Sequence, residues 1–163
     1  MGTMYTDPAN TVQKHAFWAA FSLSQSLFLS PFFFLNPAIL GRAALYTFGM
    51  VGSLSYIAAT AKTDQYLYLG GPLFAGLTLL ILSGLAPMVL PVTAVRTLVL
   101  SESISIYGGI AIFGGYILYD VQRVMLHARL GYKDAITESI ALELDVVNLF
   151  IRIAYLLGVM RRK

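Results

Sequence analysis

Two aspartates set in apolar sequence are the residues of this chain best placed to do chemistry. Asp120 closes the hydrophobic run that ends Ile117-Leu118-Tyr119, and Asp145 stands within Leu142-Glu143-Leu144-Asp145-Val146-Val147. A carboxylate in hydrocarbon is costly unless it is paired, protonated or turned toward water, so acids in such positions are functional-site candidates. If the two face each other, both cannot comfortably be ionised at hydrogen-bonding distance, and one proton is shared between them. Losing that proton leaves two repelling carboxylates, which either separate and open a path or take a cation between them. Calcium suits such a site because it prefers oxygen ligands, and the chain has no cysteine and no imidazole-rich alternative. The other reading is a structural pair that locks two helices, with Arg152 as counter-charge.

A membrane must position these acids. Of 163 residues, 58% are hydrophobic and 12% charged, and the mean hydropathy is +0.74, far from soluble-domain averages. The apolar runs reach the length of about 20 residues that a helix needs to cross a bilayer, and they lack the period of two of barrel strands. The predicted fold is all-α, a polytopic membrane helix bundle of about five transmembrane helices around a semi-polar last helix. Residues 1–14 form a polar connector without the features of a secretory signal, 15–160 the membrane domain and 161–163 a basic tail. The net charge of +3 comes from basic residues between or beyond the apolar runs. That distribution favours anionic lipid head groups as partner over nucleic acid, for which no motif is present. Basic residues are balanced between the two sides, so charge does not orient the chain.

In chain order, the first span covers His15 to about Leu35, broken near Pro31, with Trp18 and Phe32 to Phe34 at the interfaces or facing lipid. Asn36-Pro37 makes a turn before a second span from Ile39 to Ala61, where Gly49 and Ser53 mark a close-packing face. The third span starts at Gly70-Gly71-Pro72 and ends by Pro87 and Pro91. Arg96 falls in the next loop. The fourth span covers Thr97 to Tyr119, and its Gly108 and Gly115, seven apart, predict a seam for a neighbouring helix. Glu102, among Ser101, Ser103 and Ser105, reads as an interface-level acid or a helix-start charge, with a part in an ion entrance as the other reading. Val121 to Ala135 reads as a basic surface connector with Gly131 as helix stop, and His127 there has no partner at metal-ligand spacing.

The fifth segment, Ala135 to Met160, is less apolar and carries Glu138, Glu143, Asp145, Asn148 and Arg152. Lipid rejects such a helix, so protein must surround it. Glu138, Asp145 and Arg152 recur every seven residues on one face with Asn148 beside it, while Glu143 points elsewhere. A polar stripe of this kind suits a water-filled path or a buried hydrogen-bond network. Besides the aspartates, Glu138, Glu143, Arg152 and Glu102 are therefore candidates for an ion path or counter-charge.

Leu118-Tyr119-Asp120-Val121-Gln122 and Leu144-Asp145-Val146-Val147-Asn148-Leu149-Phe150 resemble the paired signatures of the transmembrane Bax-inhibitor-motif family. Ala44-Leu45-Tyr46-Thr47, Gly49-Met50-Val51-Gly52, Gly70-Gly71-Pro72-Leu73 and Ile106-Tyr107-Gly108-Gly109 are similar to stretches of its mitochondrial branch, the growth-hormone-inducible transmembrane proteins. The resemblance runs from about His15 onward. It implies a bundle around a semi-polar last helix, with Asp120 and Asp145 as a proton-sensitive latch and calcium site on a calcium path. It also implies calcium leak or calcium/proton exchange, restraint of cell death, and a place in the mitochondrial inner membrane. Calcium would be cargo, and no cofactor is implied. The family has seven spans, so the five here correspond to the third through seventh. The chain is then a fragment, or a short member completed by a partner subunit.

The rival reading is a non-conducting scaffold that binds membrane proteins and affects cristae or apoptosis. No enzyme activity is expected. An intramembrane aspartyl protease is disfavoured because the flanks of Asp120 and Asp145 lack the glycine-rich context that chemistry uses.

Overall fold

Asn36 and Pro37 show how this sequence sets a helix boundary. The Asn36 Oδ1 accepts from the backbone N–H of Ala38 at 2.9 Å, and Pro37 takes the first helical position, where a missing N–H costs nothing. The structure, a computed structural model, describes residues 11–34, 36–62, 64–89, 95–131 and 135–161. Those residues form α1 (Thr11–Leu29), running into a 3-10 turn at Ser30–Phe34, then α2 (Pro37–Thr60), a second 3-10 turn at Leu67–Leu69, and α3 (Gly70–Val89). Next come α4 (Val95–Ser103), a π-turn at Ile104–Gly108, α5 (Gly109–Arg129) and α6 (Ala135–Arg161). The all-α expectation holds, with no strand among the described residues.

Among the described residues, four stretches are long and apolar enough to cross a membrane: Val12–Phe34, Pro37–Thr60, Leu67–Leu85 and Arg96–Arg129. The last helix, α6, is more polar, yet its 27 residues reach about 40 Å at 1.5 Å per residue. Exposed positions on these helices carry large apolar side chains such as Phe28, Phe48, Phe74 and Met88, as a lipid surround requires. Hydroxyls in the helices bond back to their own backbone, as Thr47 does to the Ala43 carbonyl at 2.8 Å, which removes the penalty of an unpaired donor in hydrocarbon.

The centre of the bundle is the α5–α6 pair. Helix α5 packs against α2, α3 and α6, while α6 also meets α1 and α2. Ile117 of α5 and Leu149 of α6 are fully buried, and Phe113, Ile153, Ala154, Ala43 and Leu80 complete the core around them. Small residues let α3 and α5 approach closely. A Cβ on Gly115 would stand 2.6 Å from Leu73 Cδ2, and one on Gly76 would stand 2.8 Å from Ile112 Cδ1. The predicted seam at Gly108 and Gly115 is therefore the α3 interface.

Several boundaries differ from expectation. Val121 to Arg129 is not a surface connector but the last part of α5, because nothing between Val121 and Leu130 breaks a helix. The helix stops at Gly131, whose φ is +80° and whose N–H donates to the Ala128 carbonyl at 3.2 Å, a left-handed C-terminal cap. Arg96 lies inside α4 rather than in a loop. Helix α3 passes through Pro87 to Val89, while Pro91 is outside the described residues. Helix α1 begins at Thr11 and buries Lys14. The break near Pro31 is the first 3-10 turn, where Phe32 packs on Phe150 with ring centroids 6.4 Å apart. By contrast, the Gly49–Ser53 face of α2 closes on nothing among the described residues, where no atom lies within 4 Å of a Cβ built on Gly49 or Gly52.

Candidate functional site

Asp120 comes from the middle of α5 and Asp145 from the middle of α6. These are the two helices with the most extensive mutual contact, and they bring the two carboxyl groups close enough to interact directly. Both residues are buried, 6% and 7% exposed. Two carboxylates have only acceptor oxygens, so a hydrogen bond between them needs a proton on one of them. Arg123, one turn along α5, places its Nη1 4.0 Å from Asp120 Oδ1. The second carboxyl oxygen of Asp145 is buried with no hydrogen-bond partner among the described residues. The pair opens onto a cleft of about 490 Å³ that is also lined by Tyr116, Arg123, Asn148 and Arg152.

The remaining polar residues of α6 go to three different places. Glu138, in its first turn, accepts from His127 Nδ1 at 2.6 Å and lies 3.9 Å from Arg123 Nε, so it ties the end of α5 to the start of α6. Glu143 faces away, as its helical position predicts, and accepts from Trp18 Nε1 and Ser22 Oγ, each at 3.2 Å. Trp18 is thus a tether for α1 in addition to being partly exposed at the bundle surface. Arg152 is not a counter-charge touching the aspartates. Its Nη1 donates to the Ser105 carbonyl and to Ser105 Oγ at 3.1 Å, and its guanidinium lies 5.2 Å from the centre of the Phe113 ring. Glu102 is exposed and accepts from Tyr155 Oη at 2.7 Å. It lines a second cleft, of about 500 Å³, with Ser105, Tyr155 and Arg152.

Two participants had no role assigned from sequence. Gln122 is 5% exposed. Its Oε1 accepts from Tyr66 N at 2.6 Å, and its Nε2 donates to the carbonyls of Lys62 at 3.0 Å and Ala58 at 3.4 Å, fastening α5 to the α2–α3 connection. A polar side chain two residues from Asp120 in an apolar run was the available signal. The π-turn that presents Ser105 had none beyond the local serines. Among the described residues, no group of three or more His, Cys, Asp or Glu side chains gathers into a metal-binding cluster.

Fold and site together define a multi-pass helical membrane protein in which the two central helices each contribute one acid to an interior pair. The chain belongs to the Bax1-I family, described as inhibitor of apoptosis-promoting Bax1, whose profile matches residues 1–162. It is 36% identical over 151 residues to the growth hormone-inducible transmembrane protein of Rattus norvegicus, covering 89% of this chain and 43% of that protein. It is 32% identical to Bax inhibitor 1 of Drosophila melanogaster, over 76% of this chain and 48% of the relative. Bax inhibitor 1 of Mus musculus is 31% identical over 76% of this chain and 50% of the relative. The chain spans about half the length of the curated relatives it matches. None of these three names denotes an enzyme. No solved structure matches the chain.

Proposed function

We propose that this chain contributes a proton-sensitive calcium path, acting as a leak channel or calcium/proton exchanger, with Asp120 and Asp145 as its latch. The observation that carries the reading is the contact between two buried carboxyl groups from adjacent central helices, at the wall of a cleft. With a proton shared between them the helices are held together. Without it, like charges in a medium of low dielectric repel, and the α5–α6 contact loosens. Two carboxylates supply fewer oxygens than the six to eight calcium takes when tightly held. A weak transit site is what conduction needs, because an ion must leave as readily as it enters.

Restraint of apoptosis is part of the same reading, supported by the family description and by relatives named Bax inhibitor 1. The reading puts the path in the mitochondrial inner membrane, and the similarity to the growth hormone-inducible transmembrane protein is what supports that choice. No covalent chemistry belongs to this reading. Protons, calcium and the lipid bilayer are its partners.

The test is calcium flux into proteoliposomes at stepped pH. Flux from the wild-type chain should rise as the pair loses its proton. Asp145→Asn keeps a hydrogen-bond donor opposite Asp120 at every pH, so its flux should stay low and independent of pH. A wild-type flux that ignores pH, or an Asp145→Asn flux that still follows it, removes the latch.

One observation favours a scaffold reading: the open Gly49 and Gly52 face of α2 is free to receive a helix from another membrane protein. Absence of flux at every pH, with membrane partners retained on pull-down, selects that reading.

A further inference from the structure

The two clefts lie on the same side of α6, one at the aspartate pair and the other at Glu102 and Tyr155. Asn148 and Arg152 line both, and among the described residues no other side chain does. Arg152 therefore stands where the clefts meet. Its seat is neutral: the Ser105 carbonyl and hydroxyl of the π-turn, and the face of Phe113. Its Nε is buried without a hydrogen-bond partner, and among the described residues no carboxylate pairs with it. Gly109 makes the seat possible, since a Cβ there would collide with the Nε, Cδ and Cζ atoms of Arg152.

A fixed positive charge with no neutralising partner repels cations at close range, and more strongly where water is scarce. We propose that Arg152 is a cation barrier in series with the aspartate pair, closing the junction between the two clefts while it is seated on Ser105 and Phe113. This rests on the reading that ions pass along α6, and it adds a second closure that the aspartates do not control. Passage then requires the guanidinium to leave its seat.

The chain contains no cysteine, so a single introduced thiol reports access without background and without any calcium measurement. Ser101→Cys places the thiol in the Glu102 cleft, and Ala141→Cys places it in the aspartate cleft. The probe is a membrane-impermeant, positively charged methanethiosulfonate, added to proteoliposomes from the side on which Ser101→Cys reacts. With Arg152 present, Ala141→Cys should react slowly from that side. Adding Arg152→Gln should speed its modification by about tenfold or more, and a negatively charged methanethiosulfonate should gain less. Gly109→Ala leaves the charge in place but displaces the side chain from its seat, and it should also open the junction. It serves as the independent variant if Arg152→Gln does not yield a monodisperse protein.

Unchanged Ala141→Cys rates in both variants overturn the barrier, as does an equal gain for both probes with Arg152→Gln. A chain that carries no calcium yet shows the expected labelling loses the proposed transport function and keeps the barrier. A chain that carries calcium but shows unchanged labelling does the reverse.

Discussion

Gln122 Oε1 and the backbone N–H of Tyr66 meet at 2.6 Å, joining positions 56 residues apart. The other end of the same amide donates to the carbonyls of Lys62 and Ala58. One buried side chain therefore satisfies the backbone where α2 gives way to the turn before α3, and it does so two residues from Asp120. Replacing it by the similarly sized but apolar residue in Gln122→Met strands a part-buried N–H and two carbonyls. The expected loss is about 2–3 kcal/mol, seen as a fall of roughly 5–10 °C in the thermal midpoint of the detergent-solubilised protein. A midpoint within error of wild type would show that these bonds are replaced by others.

Trp18 is the one tryptophan of the chain, and its indole N–H is bonded to Glu143. Its fluorescence therefore reports how firmly α1 is held to α6. Glu143→Leu removes the acceptor for both Trp18 and Ser22, and the emission anisotropy of Trp18 should fall while α2 to α6 keep their hydrogen-exchange protection. Unchanged anisotropy would mean that α1 is held by apolar contacts alone.

The two glycine faces should respond oppositely to added volume. Gly115 abuts Leu73, and Gly115→Val should cost about 1–3 kcal/mol by overpacking the α3–α5 seam. Among the described residues nothing lies within 4 Å of a Cβ on Gly49 or Gly52, so Gly49→Ala and Gly52→Ala should be neutral or should stabilise by up to about 1 kcal/mol through helix propensity. Thermal unfolding of the isolated chain measures both. Destabilisation by Gly49→Ala would reveal that α2 already packs against another copy in the detergent micelle.

Much of the fold was legible because hydrocarbon allows few solutions. A chain with apolar runs of this length must form helices, and Asn36-Pro37, Gly70-Gly71-Pro72 and Gly131 punctuate them where sequence places the stops. The contact of Asp120 with Asp145 was legible as a possibility for the same reason, since each acid needs a partner in an apolar interior. The stripe on α6 was legible as a face but not as a set of partners. A seven-residue spacing fixes the direction in which Glu138, Asp145 and Arg152 point along one helix, and it says nothing about what stands opposite each. His127 for Glu138 and Ser105 for Arg152 became visible only with α5 and the π-turn in place. Val121 to Arg129 carries basic residues that suggest a solvated loop, yet the segment has no helix breaker and its charges meet a carboxylate on α6.

The π-turn at Ile104–Gly108 also sets how the two halves of this long helical rod are phased. A π-turn amounts to one residue inserted into an α-helix, and each residue advances the winding by about 100°. Deleting a single residue there would leave α5 and its aspartate in place while swinging α4 about a quarter-turn around the common axis. Glu102 would then rotate off Tyr155, and Ser105 would no longer lie beneath Arg152. The azimuth of one half of the molecule relative to the other is thus held by a single surplus residue.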